Sequence, residues 1–418
     1  MVPERGEPGP DRVSDVLIVG AGPAGGWLAG DLAAAGLSVT LIDRLRDFHE
    51  DAFSSAAVPR STLERFALPD AVVAATWSGW QLLGPGTAQR TWRSGAPLGA
   101  VLDFARLRAW LAARAEDHGA HVKLGTRAIA WASSATGVSL TVAGPDGVTG
   151  RLQGRWLVDA TGSSRRLIGA HQHPLPEPLV SGVGVEWLIR VPESTWRHWS
   201  DQLTFVLGSD AVPQGYGWIF PMQAPLLKVG VCRLEDGAAG QPALGALLTR
   251  LLDRLELGAA EVIDRHGGRI SSSIERRERH RWGRLVGLGD AVSTANLLGG
   301  EGIRHALLSA RVLAPLLIRA MEQERGASPA FLPRLRKRDP LGPYPRRLKR
   351  QLGWRWSLSG RLARRTWLGL LDGQADQRLD RLLDGLERQP AEVLSSLLFD
   401  YRFERYGIRA LPDLIGRR

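Results

Sequence analysis

The chain has 418 residues, of which 44% are hydrophobic and 23% are charged. At roughly 100–200 residues per domain, this length allows two or three domains, and the composition excludes a disordered or collagen-like chain. The single cysteine, Cys232, excludes an internal disulfide and any zinc site built on cysteines, and the net charge is +11.

The first predicted unit follows a polar N-terminal arm, residues 1–13, which has no apolar stretch typical of a secretory signal. An apolar run over residues 15–20 predicts a strand. Residues 27–35 then predict a helix, and residues 37–43 predict a second strand. Together they form a complete βαβ unit within about 30 residues, the arrangement that binds dinucleotides.

The turn of this unit carries a glycine fingerprint formed by Gly20, Gly22 and Gly25. Gly20 allows a tight turn, Gly22 lets the backbone approach a pyrophosphate, and Gly25 lets the helix and strand pack closely. Asp43 ends the second strand, where a carboxylate can accept hydrogen bonds from ribose hydroxyls. The pattern predicts a dinucleotide site, and the alternative is an ordinary glycine-rich turn.

The elements that follow alternate between helix and strand. Residues 106–118 predict a helix, residues 120–125 and 138–142 predict strands, and residues 144–147 predict a hairpin turn. Residues 155–159 predict an apolar strand that leads into Ala160, Thr161 and Gly162.

Residues 178–234 consist mainly of short β-type runs, which predict a separate sheet layer inserted between two cofactor-binding stretches. Helical periodicity returns over residues 243–265. Residues 284–290 predict a strand that ends in Gly289 and Asp290, and a helix is expected from Ile303 to about Met321.

The positive charge is concentrated in residues 334–367, where twelve Arg and Lys residues accompany one acid, Asp339. The rest of the chain is neutral overall, which argues against a nucleic-acid-binding protein and favours a local surface for an anionic membrane or another anionic partner. Trp354, Trp356 and Trp367 lie among these arginines, a pairing that suits a lipid headgroup region. The alternative is a solvated helix or a subunit contact.

Three motifs in this order resemble the FAD-dependent group that contains para-hydroxybenzoate hydroxylase, flavin halogenases, lycopene cyclases and geranylgeranyl reductases. They are the N-terminal glycine fingerprint, residues 159–162 and residues 289–302. Residues 215–221 (GYGWIFP) and 228–231 (KVGV) are most similar to geranylgeranyl reductases. The resemblance covers about residues 14–320.

The resemblance implies an α/β fold with a Rossmann-like FAD-binding domain of the GR2 type, an inserted antiparallel β-sheet substrate domain and a C-terminal helical extension. The expected boundaries are residues 14–177 and 270–325 for the FAD-binding domain, 178–269 for the substrate domain and 326–418 for the basic extension. The cofactor-binding residues that it implies are Gly20, Gly22, Gly25, Asp43, Arg106, Gly162, Asp290, Gly300 and Gly302. Arg106 is named because Asp103 is followed by Phe104, where the family usually has Arg, and Arg108 is the other candidate.

The chemistry expected from this family is hydride delivery from reduced FAD to an isolated C=C bond of an isoprenoid or other lipophilic substrate. The alternatives are a flavin monooxygenase of the hydroxylase or halogenase type, a lycopene-cyclase-like enzyme without net redox change, and a binding protein that has kept the fold without turnover. The early Cys-Gly-Gly element of many geranylgeranyl reductases is absent, which leaves substrate and reaction open. Only one dinucleotide fingerprint is present, so NAD(P)H or another electron donor is expected to dock transiently.

The candidate catalytic residues are Glu301, Tyr216 and Trp218. Tyr216 and Phe220 are expected to share one face of a strand and to line an apolar tunnel, with Trp218 on the opposite face. Glu301 is surrounded by glycine and apolar residues close to the expected flavin, which makes it a candidate functional carboxylate. His305 is the weaker candidate for acid–base work, and the histidines show no metal-ligand spacing.

The expected location is cytoplasmic, with peripheral membrane attachment as an addition, because no apolar run is long enough to span a bilayer.

Overall fold

A computed structural model describes residues 13–52, 54–171, 174–236, 240–326 and 339–403. The predicted N-terminal arm lies outside the described residues except for Val13. Residues 334–338 of the basic segment also lie outside them.

The strands are β1 (Ser14–Val19), β2 (Val39–Ile42), β3 (Ala57–Pro59), β4 (Val73–Trp77), β5 (Gly79–Leu83), β6 (Gln89–Arg93), β7 (Gly99–Leu102), β8 (His121–Lys123), β9 (Arg127–Ser133), β10 (Val138–Ala143), β11 (Thr149–Asp159), β12 (Val180–Arg190), β13 (Gln202–Val206), β14 (Gly215–Pro221), β15 (Leu226–Leu234), β16 (Glu261–Ser272), β17 (Arg281–Trp282) and β18 (Leu285–Gly287). The helices are α1 (Pro23–Ala34), α2 (Arg60–Phe66), α3 (Phe104–Asp117), α4 (Glu193–Trp199), α5 (Leu244–Arg254), α6 (Ile303–Arg325), α7 (Tyr344–Leu352), α8 (Trp354–Leu368), α9 (Gly373–Asp384) and α10 (Ala391–Leu398).

The first sheet contains the predicted βαβ unit, with the strand order β17-β18-β11-β1-β2-β8. Strand β1 pairs in parallel with β2 and β11, and β11 pairs in parallel with β18. Side chains of β1 are buried in one core with those of α1, α3 and α6. The carboxyl ends of three parallel strands therefore lie side by side, so the loops after Val19, Asp159 and Gly287 meet at one edge of the sheet.

The second sheet has the order β16-β12-β15-β14-β13-β5-β6 and is antiparallel except where β13 pairs with β5. The expected antiparallel sheet is thus confirmed, with two differences in its extent. Residues 79–93, which the sequence placed with the FAD-binding domain, supply β5 and β6, and β16 runs across the predicted boundary at residues 269 and 270. A third, small sheet has the order β3-β7-β4.

The helix predicted over residues 243–265 is wrong in its second half, because α5 ends at Arg254 and the chain continues as strand β16. Helix α5 buries Leu247, Leu248, Leu251 and Leu252, and this leucine spacing gave the periodic signal. Strand β16 is stabilised instead by pairing along β12, a long-range interaction that local periodicity does not contain.

The C-terminal extension is helical, as expected, but it packs into the protein rather than projecting from it. Trp356 is 1% exposed and Trp367 is 8% exposed, whereas Trp354 is 65% exposed. The expectation that all three indoles face a lipid headgroup region is therefore wrong for Trp356 and Trp367. Both pack against side chains of the rest of the chain, a tertiary contact that the mixture of Arg and Trp does not reveal.

Candidate functional site

A cavity of about 970 Å³ is lined by loops of the first sheet and by one face of the second. Its lining includes these predicted site residues: Gly20, Gly22, Asp43, Gly162, Tyr216, Trp218, Asp290, Gly300 and Gly302. Gly25, Arg106 and Glu301 are not part of the lining.

The turn after β1 is shaped by its glycines. Gly20 has a φ of +108°, and a Cβ there would lie 2.3 Å from the carbonyl oxygen of Ala160. A Cβ on Gly25 would lie 1.9 Å from the carbonyl oxygen of Gly20, so Gly25 is required for packing between helix and strand. Gly22 precedes α1, and a Cβ on it would meet no atom within 4 Å. The backbone at Gly22 therefore faces open cavity beside a helix N-terminus, which suits an anionic phosphate.

Asp43 lies beside this turn at the end of β2. Its Oδ2 accepts the backbone N–H of Ala21 at 2.6 Å, and its Oδ1 accepts the N–H of Leu45 at 3.0 Å. These two bonds fix the carboxylate against the turn while it still lines the cavity. The fixed orientation suits recognition of a ribose hydroxyl.

The structure places Arg108, not the predicted Arg106, at the cavity. Arg106 is exposed and pairs with Asp103, which caps α3. Arg108 is 5% exposed, lines the cavity and donates to the carbonyl oxygens of Phe48 and Glu50. Residues two apart on a helix point in different directions, which is why only one of the two arginines faces inward.

The loop after β11 is organised by Asp159, which is fully buried. Its carboxylate accepts the backbone N–H groups of Thr161, Leu167 and Ile168 at 2.7–3.0 Å. Gly162, with a φ of +65°, presents open backbone to the cavity. Asp159 thus supports the loop, and Ala160, Thr161 and Gly162 line the cavity, where a ligand can contact them.

Asp290 and the N-terminus of α6 form the opposite part of the site. Burial raises the pKa of Asp290, although a hydrogen bond from Thr294 at 3.0 Å opposes the increase. A Cβ on Gly302 would lie 3.3 Å from Asp290 Oδ2, and a Cβ on Gly300 would lie 3.1 Å from the Tyr216 hydroxyl. Glycine at both positions keeps the helix N-terminus open to a ligand with developing negative charge.

These observations fit FAD. The pyrophosphate of FAD needs a phosphate-binding cradle. The turn at Gly22 supplies this cradle, because its backbone is open to the cavity and helix α1 begins there. Carboxylates at Asp43 and Asp290 can accept hydrogen bonds from sugar hydroxyls on either side of that cradle. The loop of Gly300 and Gly302 offers a second helix N-terminus for the electron-accepting ring.

The aromatic wall of the cavity comes from the second sheet. Phe205, Tyr216, Trp218 and Phe220 all line it. The expectation that Trp218 lies on the face opposite Tyr216 and Phe220 is wrong, because side chains alternate along a strand and residues two apart share a face. Burial raises the pKa of Tyr216 well above its ordinary range, so its hydroxyl keeps its proton at neutral pH.

Sequence reasoning missed two buried charged residues, Glu186 and Lys228, on the same face of the sheet as this wall. The Trp218 indole donates to Glu186 Oε2 at 2.9 Å, and Lys228 donates to the carbonyl oxygen of Ser54 at 2.6 Å. Burial raises the pKa of Glu186 and lowers that of Lys228, and each charge opposes the shift of the other. The sequence did contain a signal for Glu186, because this acid stands within the otherwise apolar run of residues 182–189. In the structure Glu186 is paired with Gly230 of the neighbouring strand.

Glu301 is not positioned as a proton donor. Arg304 binds its carboxylate through two nitrogens, at 2.5 and 2.8 Å, and the Tyr401 hydroxyl donates to it at 3.0 Å. Burial alone would raise the pKa of Glu301, but the Arg304 charge outweighs this effect and holds it below its ordinary value. The Glu301 side chain is a permanent anion that anchors the C-terminal residues beside the start of α6. The sequence interpretation counted only the glycine and apolar neighbours of Glu301; it overlooked Arg304 three residues later and did not foresee Tyr401, which is distant in sequence.

His305 belongs to the same network. Its ring contacts the carbonyl oxygen of Glu301 at 3.2 Å and the Tyr401 hydroxyl at 3.4 Å. Burial lowers the pKa of His305 to about 4. It is therefore a neutral packing residue outside the cavity lining.

Comparison with known proteins agrees with this geometry. The sequence model of the FAD binding domain family matches residues 13–329. A digeranylgeranylglycerophospholipid reductase of Haloferax volcanii is 29% identical over 402 residues, which cover 91% of each chain. A menaquinone reductase of Mycobacterium tuberculosis is 30% identical over 328 residues, covering 73% of this chain and 77% of the relative.

A geranylgeranyl bacteriochlorophyll reductase-like protein from Thermoplasma acidophilum, whose structure has been solved, has a similar fold. It superimposes with a TM-score of 0.77 at 19% identity, and the match covers 96% of this chain and 99% of the other.

The fold and site define a flavoprotein with one dinucleotide-binding unit and an aromatic chamber beside it. The chain belongs to the FAD binding domain family, in the group similar to geranylgeranyl reductases, and is an FAD-dependent oxidoreductase.

Proposed function

We propose that this oxidoreductase reduces C=C bonds of an isoprenoid or similarly lipophilic substrate. The observation that carries the proposal is the continuity of one cavity, which runs from the phosphate cradle at Gly22 to an aromatic wall at Tyr216, Trp218 and Phe220. The free energy of an apolar chain falls when the chain leaves water and contacts such a wall. The relatives, a digeranylgeranylglycerophospholipid reductase and a menaquinone reductase, support the same substrate class.

In this proposal, the residues that line the cavity bind FAD and stabilise its negative charge. Bound FAD, once reduced, supplies the hydride equivalent. The turn of Gly20 and Gly22 holds its phosphates, Asp43 and Asp290 hold its hydroxyl groups, and the N-terminus of α6 stabilises negative charge. NAD(P)H or another donor docks transiently, since the chain has one dinucleotide fingerprint.

Tyr216 is the polar group of the aromatic wall and stands next to the loop of Gly300. Its hydroxyl is protonated and, besides its hydrogen bond with Cys232, is the group that positions substrate. Water supplies the proton to the carbon next to the one that receives the hydride. Glu301 is assigned no proton transfer, because Arg304 keeps its carboxylate ionised.

The proposal is tested by incubating the FAD-loaded protein, a chemical reductant and polyprenyl substrates without oxygen, with product masses as the measurement. We expect a gain of two hydrogens for each reduced bond. An unchanged mass with a new ring would support the cyclase-like alternative. A gain of one oxygen atom, only when oxygen and NAD(P)H are supplied, would support a monooxygenase. Either of these results would overturn the proposal.

We also propose that helices α7 and α8 contact an anionic membrane surface. Neither helix contains an acid, and Arg346, Arg350 and Arg364 are exposed together with Trp354. At about 1 kcal/mol per cation near an anionic surface, a few such residues give salt-sensitive attachment. None of the helices among the described residues is long and apolar enough to cross a membrane.

Flotation with neutral and anionic liposomes tests this attachment. The double variant Arg346→Glu/Arg350→Glu is expected to lose flotation with anionic liposomes. Arg151→Glu/Arg388→Glu makes the same change of charge at exposed positions elsewhere and is the matched control. Equal flotation of wild type with both lipid types, or equal loss in both variants, would refute the proposed surface.

A further inference from the structure

Trp367 belongs to the C-terminal extension, yet it lines the large cavity. It lies in the last turn of α8 and is 8% exposed. Among the described residues after Gly326, it is the one that contributes to this lining. The extension, most of which lies beyond the match to the FAD binding domain family at residues 13–329, thus supplies part of the wall of the site.

The indole of Trp367 is fixed from two sides. Its ring lies 5.1 Å from the ring of Tyr216, centroid to centroid, with an angle of 47° between the planes. Its Nε1–H donates to the carbonyl oxygen of Leu298 at 3.3 Å. Leu298 directly precedes Gly299 and Gly300, so the ring bridges the aromatic strand and the loop beside the expected flavin.

The backbone that follows α8 is also attached to the aromatic strand. The backbone N–H of Gln214 donates to the carbonyl oxygen of Leu370 at 2.9 Å, immediately before β14 begins. This bond holds the end of α8 against the strand that carries Tyr216. The position of the indole is therefore set by the fold and not by a free side-chain rotation.

We propose that Trp367 determines the length and branching of the lipophilic chains that the cavity accepts. Its indole closes the apolar part of the cavity on the side formed by the extension. The proposal rests on the proposed function and deepens it. An indole is larger than one isoprene unit, so a small side chain at this position leaves room for a longer or more branched chain. Packed protein interiors exclude ligands by size. A change of that volume at position 367 therefore alters the ratio of affinities for long and short chains more than it alters affinity for all of them.

The test compares wild type with Trp367→Ala and Trp367→Phe, each purified with its FAD. Equilibrium binding of geraniol, farnesol and geranylgeraniol is measured by calorimetry, with bound FAD quantified by absorbance. Trp356→Phe is the matched control for Trp367→Phe, because Trp356 lies in the same helix and is also buried but does not line the cavity.

We expect Trp367→Ala to shift the ratio of affinities by at least about tenfold toward the longest alcohol, with Trp367→Phe intermediate. The Trp356 variant keeps the wild-type ratio, and all variants keep their FAD. Wild-type binding with a ratio unchanged by Trp367→Ala would overturn this inference alone. Failure of wild type to bind any of the alcohols would overturn the inference together with the proposed function.

Discussion

The indole ring of Trp218 occupies the space that a side chain on Gly230 would need. A Cβ built on Gly230 would lie 2.1 Å from Cζ2 of that ring. The two residues are directly paired on β14 and β15. The ring therefore lies flat across the neighbouring strand, with its N–H anchored on Glu186. Glycine at position 230 therefore leaves the room that the Trp218 ring of the aromatic wall occupies.

The first prediction is that Gly230→Ala displaces the Trp218 ring. We expect weaker polyprenol binding, by about tenfold or more, together with a shifted tryptophan fluorescence maximum, because the ring has to leave its site. Gly150→Ala is the control, since a Cβ there would make only an ordinary contact with Val142 at 3.9 Å. Equal effects of the two variants would argue against a defined position of the ring.

The second prediction separates cofactor binding from folding at the first turn. Gly22→Val is expected to abolish FAD binding while leaving the melting temperature of the FAD-free protein nearly unchanged, because the added side chain enters open cavity. Gly25→Val is expected to prevent folding, because its Cβ would lie 1.9 Å from the Gly20 carbonyl oxygen. FAD retention by Gly22→Val, measured from the visible flavin bands, would contradict the proposed cradle.

The third prediction concerns the two arginines of α3. Arg108→Ala removes the buried charged donor that holds the carbonyl oxygens of Phe48 and Glu50, and both hydrogen bonds are lost. We expect a loss of stability of about 1–3 kcal/mol and weaker FAD binding. Arg106→Ala, at an exposed position of the same helix, is expected to change stability by less than about 0.5 kcal/mol. Urea denaturation and FAD titration measure both quantities, and a larger effect at Arg106 would contradict the placement.

The fourth prediction is a pH effect from His305. Its pKa is about 4 in the folded protein and about 6.5 when exposed, so the unfolded chain binds more protons between these values. Stability therefore falls as pH decreases from 6.5 towards 4. The difference between the folded and unfolded pKa values of His305 corresponds to about 3 kcal/mol of unfolding free energy, at about 1.4 kcal/mol per tenfold change in proton affinity.

His305→Asn isolates this contribution from the other titrating groups. The difference in unfolding free energy between wild type and the variant should become less favourable to wild type as the pH falls through this window. A constant difference from pH 7 to pH 4 would show that the imidazole is not held neutral.

The part of the site that could be predicted from the sequence is local. Gly20, Gly22, Gly25 and Asp43 lie within one βαβ unit, so their spacing alone places them around one turn. The GYGWIFP strand was also recognisable, but the face that Trp218 occupies was assigned wrongly, against the two-residue repeat of a strand. Its register with Gly230 was resolved only by the pairing of β14 with β15.

The remaining differences arise from contacts distant in sequence. Glu301 read as an isolated acid near the flavin, and its role changed because Arg304 and Tyr401 close around it. Trp367 read as a surface aromatic among arginines, and it is buried because Tyr216 and Leu298 receive it. Arg304 lies only three residues after Glu301 and was overlooked. The contacts of Glu301 with Tyr401 and of Trp367 with Tyr216 and Leu298 could not be inferred from periodicity or composition, since they depend on how the C-terminal residues pack.

Anaerobic reoxidation of the flavin shows whether the reduced cofactor passes its electrons to a C=C bond. The protein is loaded with FAD, reduced with one equivalent of reductant and mixed with a polyprenyl substrate while the visible flavin bands are recorded. The account predicts that the bands of oxidised flavin return without oxygen, with one C=C bond reduced for each flavin reoxidised. Flavin that stays reduced with every polyprenyl substrate, and reoxidises only when oxygen is admitted, would contradict it.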